Sequence, residues 1–282
     1  MNSGNPLNDN AVVAMRNDII PTFAKLRLNE SRLFQFCLAH FDSRKGENLT
    51  YTATVNDLRE YFGLNAKSAY AVVEQAMLKL ARKPLRVRTE NKKLIAHWFT
   101  DVTYHQGDGT FEFRLNDKAA PYFLMLQNFF TMYRLGHTKK FKKAASFKLY
   151  VNLKQRENIG HWDVDLDALR FRFGVAGKYP RWDNFKDRIL RPASDEINEH
   201  SDISVKWETL KRGRRVVGVL FRIKNKTEKS ATEAREVHEA NQFLKAAKEE
   251  EKRLGTTMGS TGIDAGSQKR QVRNQGIGDN NE

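Results

Sequence analysis

The sequence is poor in the residues that build rigid frameworks and metal sites. One cysteine, Cys37, stands among 282 residues, which excludes an internal disulfide framework and fits a reducing compartment. A zinc site built on paired thiols is excluded with it. The seven histidines (His40, His97, His105, His137, His161, His200, His238) contain no His-x-His pair. A nickase that sets a metal beside a tyrosine nucleophile would need such a pair. Lys178 follows Gly177, but no glycine stands five residues before Gly177, and Tyr179 replaces the Ser/Thr of a phosphate-cradling loop. No catalytic residue, metal or cofactor is therefore expected. Long apolar runs are also missing. The uncharged stretch from Ala119 to Tyr133 contains Pro121, Gln127 and Asn128, and falls short of the roughly 20 apolar residues that a membrane span requires. No basic, apolar and small-residue leader opens the chain. A soluble, cytoplasmic protein without membrane contact is expected.

What is abundant is positive charge: 49 Lys and Arg against 34 Asp and Glu, a net of +15. Residues 137–226 hold 22 against 11, while residues 1–136 hold 18 against 13 and residues 227–282 hold 9 against 10. The surplus sits in the second half of the folded body, as a polyanion-binding domain requires.

Periodicity predicts two copies of one plan. Residues 1–20 read as a loosely ordered N-terminus. Helices are expected over Leu28–Phe41 and Val55–Phe62, and from Asn65 to Pro84 with Tyr70, Val73, Met77 and Leu80 buried. Strands follow at Leu85–Thr89, Leu94–Tyr104 and Thr110–Leu115, the first two joined by a wing turn at Glu90-Asn91-Lys92-Lys93. A buried helix is expected over 116–135, and Gly136–Lys143 reads as a polar linker. The second copy has helices at Ala144–Glu157, Asp165–Phe173 and Pro180–His200, then a hairpin of Ile203–Thr209 and Val216–Lys224. Leu58-Arg59-Glu60-Tyr61-Phe62-Gly63-Leu64 matches Leu169-Arg170-Phe171-Arg172-Phe173-Gly174-Val175 as L-R-x-x-F-G-[LV]. The match falls on the same helix of each copy. The expected fold is α+β and mainly helical: two tandem winged-helix domains over 21–136 and 137–226. A marginal exposed helix and a Gly/Ser/Asn/Gln-rich tail fill 227–282.

The second domain carries the candidate DNA-reading surface. With Trp182, Phe185, Ile189, Ala193 and Ile197 turned inward, Arg181, Asn184, Asp187, Arg188 and Arg191 point outward. Arg forks match guanine and Asn matches adenine in the major groove. Lys178 and Lys186 flank this face as phosphate contacts. Pro192, inside the helix, predicts a kink. The hairpin tip Lys211-Arg212-Gly213-Arg214-Arg215 suits a wing lying along a phosphate backbone. In the first domain Lys67, Ser68 and Lys79, with Lys92 and Lys93 in the expected wing turn, form a weaker surface. The Ala-rich face there (Ala66, Ala69, Ala71, Ala76) suits protein–protein packing.

The run Phe185-Lys186-Asp187-Arg188-Ile189-Leu190-Arg191-Pro192-Ala193-Ser194-Asp195-Glu196-Ile197-Asn198-Glu199, with Gly213–Ile223 after it, resembles the signature of the Rep_3 family of plasmid replication initiators. The early Leu28-x-Glu30-x-x-Leu33 helix is also similar to that family's opening. The resemblance covers residues 20–226 and is sharpest over 181–223. It implies a bacterial, plasmid-encoded protein whose monomers bind directly repeated origin sequences (iterons) and help melt an adjacent AT-rich segment. Partners implied are the host initiator ATPase, the replicative helicase and chaperones. A homodimer joined through the first domain, in equilibrium with monomer, would repress its own operator. The DNA-contact role carries over to Arg181, Asn184, Lys186, Arg188, Arg191 and Lys211–Arg215. A winged-helix transcriptional repressor is the alternative, and a DNA nickase a more distant one.

Overall fold

The computed structural model describes residues 7–41, 49–88, 93–105, 107 and 109–226. The expected turn residue Lys92 and the tail 227–282 lie outside the described residues.

The repeated motif explains itself in three dimensions. Thr54 caps the helix α2 (Val55–Phe62). Its hydroxyl accepts from the Asp57 N–H at 2.9 Å and the Asp57 carboxylate accepts from the Thr54 N–H at 3.2 Å, a reciprocal cap. At the far end Gly63 turns left-handed (φ 61°, ψ 42°), and the Leu64 N–H bonds back to the Arg59 carbonyl at 2.9 Å. The helix α5 (Leu166–Arg172) closes in the same way. Gly174 has φ 70°, and the Val175 N–H reaches the Arg170 carbonyl at 2.9 Å. In both, leucine and phenylalanine are buried (Leu58 and Phe62, Leu169 and Phe173) while glycine supplies the left-handed residue.

The strands entering these helices, β2 (Thr50–Thr54) and β8 (His161–Asp165), also stand 111 residues apart, a copy that hydrophobic periodicity missed. Each joins a three-stranded antiparallel sheet of identical order. In the first domain it is β2-β6-β5, with β5 Phe99–Tyr104 and β6 Thr110–Leu115; in the second it is β8-β10-β9, with β9 Ile203–Arg212 and β10 Arg215–Asn225. Between short helix and sheet runs the third helix: α3 (Ala69–Ala81) in the first domain and the segment Trp182–His200 in the second. Two winged helices result.

The first domain departs from the plan by an insertion. The hairpin β3 (Leu85–Arg88) with β4 (Lys93–Ala96) forms its own two-stranded sheet, so the true wing is β5–β6. The expected strand Leu94–Tyr104 breaks at His97-Trp98, where the Trp98 ring is fully buried against Phe34 at 4.5 Å.

Two other expectations fail together. No helix spans 116–135. The segment holds a 3-10 turn at Ala120–Tyr122 and then strand β7 (Phe130–Arg134). This strand pairs antiparallel with β1 (Val12–Arg16), in the region expected to be loose, from Val12↔Arg134 to Arg16↔Phe130. A 3-10 segment, Asn17–Lys25, follows and buries Ile19, Ile20 and Phe23. Pro121 breaks the expected helix. Among the described residues no helix is long and apolar enough to cross a membrane.

A single cluster of buried side chains runs through both domains. Its middle is helix α4 (Ala144–Lys154), in which every residue from Ser146 to Leu153 is buried. It packs against helix α1 (Leu28–Leu38), β7 and the C-terminal part of the recognition segment. The expected linker is part of this structure, with Thr138 and Phe141 fully buried. Several polar groups buried here are paired. The Gln35 carbonyl accepts from the Tyr133 hydroxyl at 2.7 Å, and the Tyr150 hydroxyl donates to Asp202 at 2.9 Å. Asp202 also meets Lys154 at 2.5 Å and His137 at 3.2 Å. At the seam between domains the Lys148 ammonium donates to the carbonyls of Ala24 (2.8 Å) and Phe173 (3.0 Å).

Candidate nucleic-acid interface

The recognition segment is one helical run with a wide turn inside it: α6 (Trp182–Phe185), a π turn over Lys186–Leu190, and α7 (Arg191–His200). Pro192 explains the interruption. It cannot donate to the carbonyl four residues back, and its ring would crowd that carbonyl in a regular helix. One wide turn relieves both, and such turns are common at functional sites. The expected kink is therefore a π turn, which shifts the helical phase. Leu190, five residues after Phe185, takes the fully buried place expected for Ile189, and Ile189 and Trp182 are only half-buried. Phe185, Ala193 and Ile197 are fully buried as predicted.

The signature residues that follow the proline hold the segment in place. Glu196 accepts from the Ser146 hydroxyl (2.6 Å), the Lys143 ammonium (3.0 Å) and the Lys142 N–H (3.2 Å), which fastens the uncapped start of α4. Asn198 pairs its side-chain amide with Val205 in both directions, at 3.0 and 2.7 Å, and so fixes β9. Trp182 meets Trp207 edge to face at 6.1 Å, joining the helix start to the wing strand. Arg170 fastens the entrance by donating to the Tyr179 and Pro180 carbonyls at 3.0 and 3.1 Å. These positioning roles need partners far away in sequence, which periodicity does not supply.

Burial pulls the Glu196 carboxyl upward, but the hydrogen bonds from Ser146 and Lys143, the Lys143 charge and the Lys142 N–H outweigh it and leave it below the usual carboxylate value. The stability this contributes is complete above the unfolded pKa, near 4.5, and is lost as pH falls through the lower folded value. Glu196→Ala should cost about 1–3 kcal/mol at neutral pH and flatten this part of the acid limb in urea unfolding. An unchanged acid limb would sink the assignment.

The outward face carries Arg181, Asn184, Arg188 and Arg191, all exposed, with Lys178 exposed just before it. Among the described residues the side chains of Arg181, Asn184 and Arg188 have no ion-pair or hydrogen-bond partner. Lys186, expected as a phosphate contact, is paired with acidic neighbours. It is half-buried, and its ammonium lies 3.1 Å from Asp183 and 3.8 Å from Asp187. Arg191 lies 3.6 Å from Asp187. Beside the helix, Lys211, Arg212, Arg214 and Arg215 are all exposed around a two-residue turn. Gly213 takes φ 61° at its first central position, as a tight hairpin of this type requires. A cleft lined by Asp165, Arg170, Pro180, Trp182 and Arg215 separates wing from helices.

In the first domain the predicted residues are scattered. Lys67 and Ser68 are exposed but sit in the turn before α3. Lys93 is exposed at the start of β4, in the inserted hairpin instead of the wing. Tyr70, expected in the core, is half exposed, whereas Ala69 and Ala76, expected on the surface, are buried. Among the described residues no group of three or more His, Cys, Asp or Glu is placed to hold a metal.

Comparison with known proteins places both domains. Residues 12–154 match the family model described as "Initiator Replication protein, WH1", and residues 165–223 match "Initiator Rep protein, WH2". A solved structure described as "Crystal structure of Pi initiator protein in complex with iteron DNA" matches with a TM-score of 0.70 at 20% identity, covering 78% of this chain and 99% of that one. A second, the WH1 domain of the MSBI1.176 replication protein isolated from a multiple sclerosis patient, matches with a TM-score of 0.31 at 21% identity over 37% of this chain and 86% of that one.

Proposed function

From the premise that this chain belongs to the initiator replication protein family, through both its WH1 and its WH2 domain, we propose that it binds directly repeated origin sequences as a monomer and acts without catalysis. The observation that carries this reading is the outward face of the recognition segment, Arg181, Asn184 and Arg188, whose side chains have no partner among the described residues, beside a wing tip of four exposed cations. Such a face delivers forks to base edges while the wing neutralises phosphates. The similar fold of an initiator described in complex with iteron DNA supports it. Binding helps open an adjacent AT-rich segment in the bacterial cytoplasm and brings in the host initiator ATPase and replicative helicase, with chaperones shifting a homodimer toward monomer. As a dimer the protein represses its own operator.

Footprinting on the DNA flanking the native gene tests this, with protection over direct repeats expected. Protection confined to a lone inverted repeat would favour a dedicated repressor. Arg188→Ala should cost about 1–3 kcal/mol of specific binding and relax preference at one base pair. Equal loss on specific and random duplexes would move Arg188 to the phosphate contacts.

A further inference from the structure

The recognition face is not uniformly cationic. Asp187 stands within it, its side chain 54% exposed, one helical step from Arg188 and 3.6 Å from Arg191. Asp183 lies one turn earlier, 63% exposed and held by Lys186. Exposed ion pairs of this kind contribute little to stability, and Asp187 is not needed to pack the helix, since Phe185 and Leu190 on either side fill the core. On a surface that only gripped phosphate, a central carboxylate would oppose binding. In the major groove it has one favourable use. A carboxylate is acceptor-only, so it matches an amino group on a base edge and is repelled by the guanine edge and by phosphate. The cytosine N4 amino group is the partner this chemistry selects. The π turn sets this geometry, because it places Asp187 in the widened turn whose far end is Leu190, next to Arg191.

We infer that Asp187 determines sequence preference: it accepts a hydrogen bond from a cytosine amino group, steadies the Arg191 fork, and weakens binding to random DNA. The inference rests on the DNA-reading role proposed for this helix and deepens it.

The test is selection of preferred sites from a random-sequence duplex library by the full chain, by Asp187→Ala, Asp187→Asn and Arg188→Ala. Because Asp187 is exposed, thermal midpoints of its variants should stay within about 2 °C of the parent. The parent should require a C·G pair at one position, discriminating there on the order of 10- to 100-fold. Asp187→Ala should lose that preference and keep the others, while its affinity for random duplex rises about threefold or more. Asp187→Asn should move the preference toward adenine, which an amide matches. If Asp187→Ala selects the parent's sites unchanged while Arg188→Ala relaxes a position, the helix reads DNA and the role of Asp187 is overturned. Release of a position other than C·G overturns the cytosine assignment. If neither variant changes the selected sites, the DNA-reading role of the helix falls as well.

Discussion

Gly174→Ala should destabilise the protein by about 4 kcal/mol, whereas Gly63→Ala, at the matching position of the first repeat, should cost about 1–2 kcal/mol. Both glycines are left-handed (φ 70° and 61°), so an alanine pays the same conformational cost at either. Their surroundings differ. A Cβ on Gly63 would meet nothing within 4 Å. On Gly174 it would lie 1.9 Å from the carbonyl oxygen of Ala24 and 3.2 Å from the Lys148 ammonium. The first of these contacts is with backbone, so one domain must move against the other. The movement would strip Lys148 of its two carbonyl acceptors, Ala24 and Phe173, in a site that is already dry. Burial, then the nearby Lys83 charge, pull Lys148 down to about 8 against a smaller upward pull from Glu30. The folded state therefore binds this proton less tightly than the unfolded chain does. Stability from this group rises as pH climbs from about 8 toward the ordinary value of 10.5. Urea unfolding of both variants side by side measures the difference. Equal costs at the two glycines would mean that the seam between domains yields freely.

Replacing Lys211, Arg212, Arg214 and Arg215 together by alanine should flatten the salt dependence of DNA binding. Each phosphate neutralised contributes about 0.9 to the slope of log affinity against log salt, so four contacts contribute about 3.6. Between 50 and 200 mM salt the parent should then lose about 150-fold more affinity than the variant. All four side chains are exposed at a hairpin tip, and the turn is held by Gly213, which the variant retains. The fold should therefore survive, and sequence preference should persist because Arg181, Asn184 and Arg188 are untouched. Fluorescence anisotropy titrations at several salt concentrations give the slope. A variant with the parent's slope would show that the wing does not follow the backbone.

The contrast between the two glycines also marks where sequence reading succeeds. L-R-x-x-F-G-[LV] was legible because each of its constraints is local. Leucine and phenylalanine one turn apart make a buried stripe, and the glycine ends the helix. Local rules likewise located Phe185, Ala193 and Ile197 on the inner face and four cations on one hairpin tip. They failed where the deciding partner was distant. Residues 119–135 have the apolar content of a buried helix, yet Phe130–Arg134 pairs with Val12–Arg16 more than a hundred residues earlier. Nothing inside either segment announces the other. Similarly, a hairpin directly after α3 reads as the wing, and only the sheet order β2-β6-β5 shows the β3–β4 pair, which begins its second strand at Lys93, to be an insertion.

By itself, then, the chain dictated its charge asymmetry, its two-copy plan, the helix that faces outward with arginines and the tip that carries cations, since composition and short-range periodicity fix these. Tertiary structure decided the rest: the pairing of Phe130–Arg134 with Val12–Arg16, the anchoring of Glu196 by Ser146 and Lys143, and the tight join of Gly174 to Ala24. Those outcomes depend on which backbone and side-chain groups meet across long stretches of chain, where loop closure and packing, not local preference, select the partner.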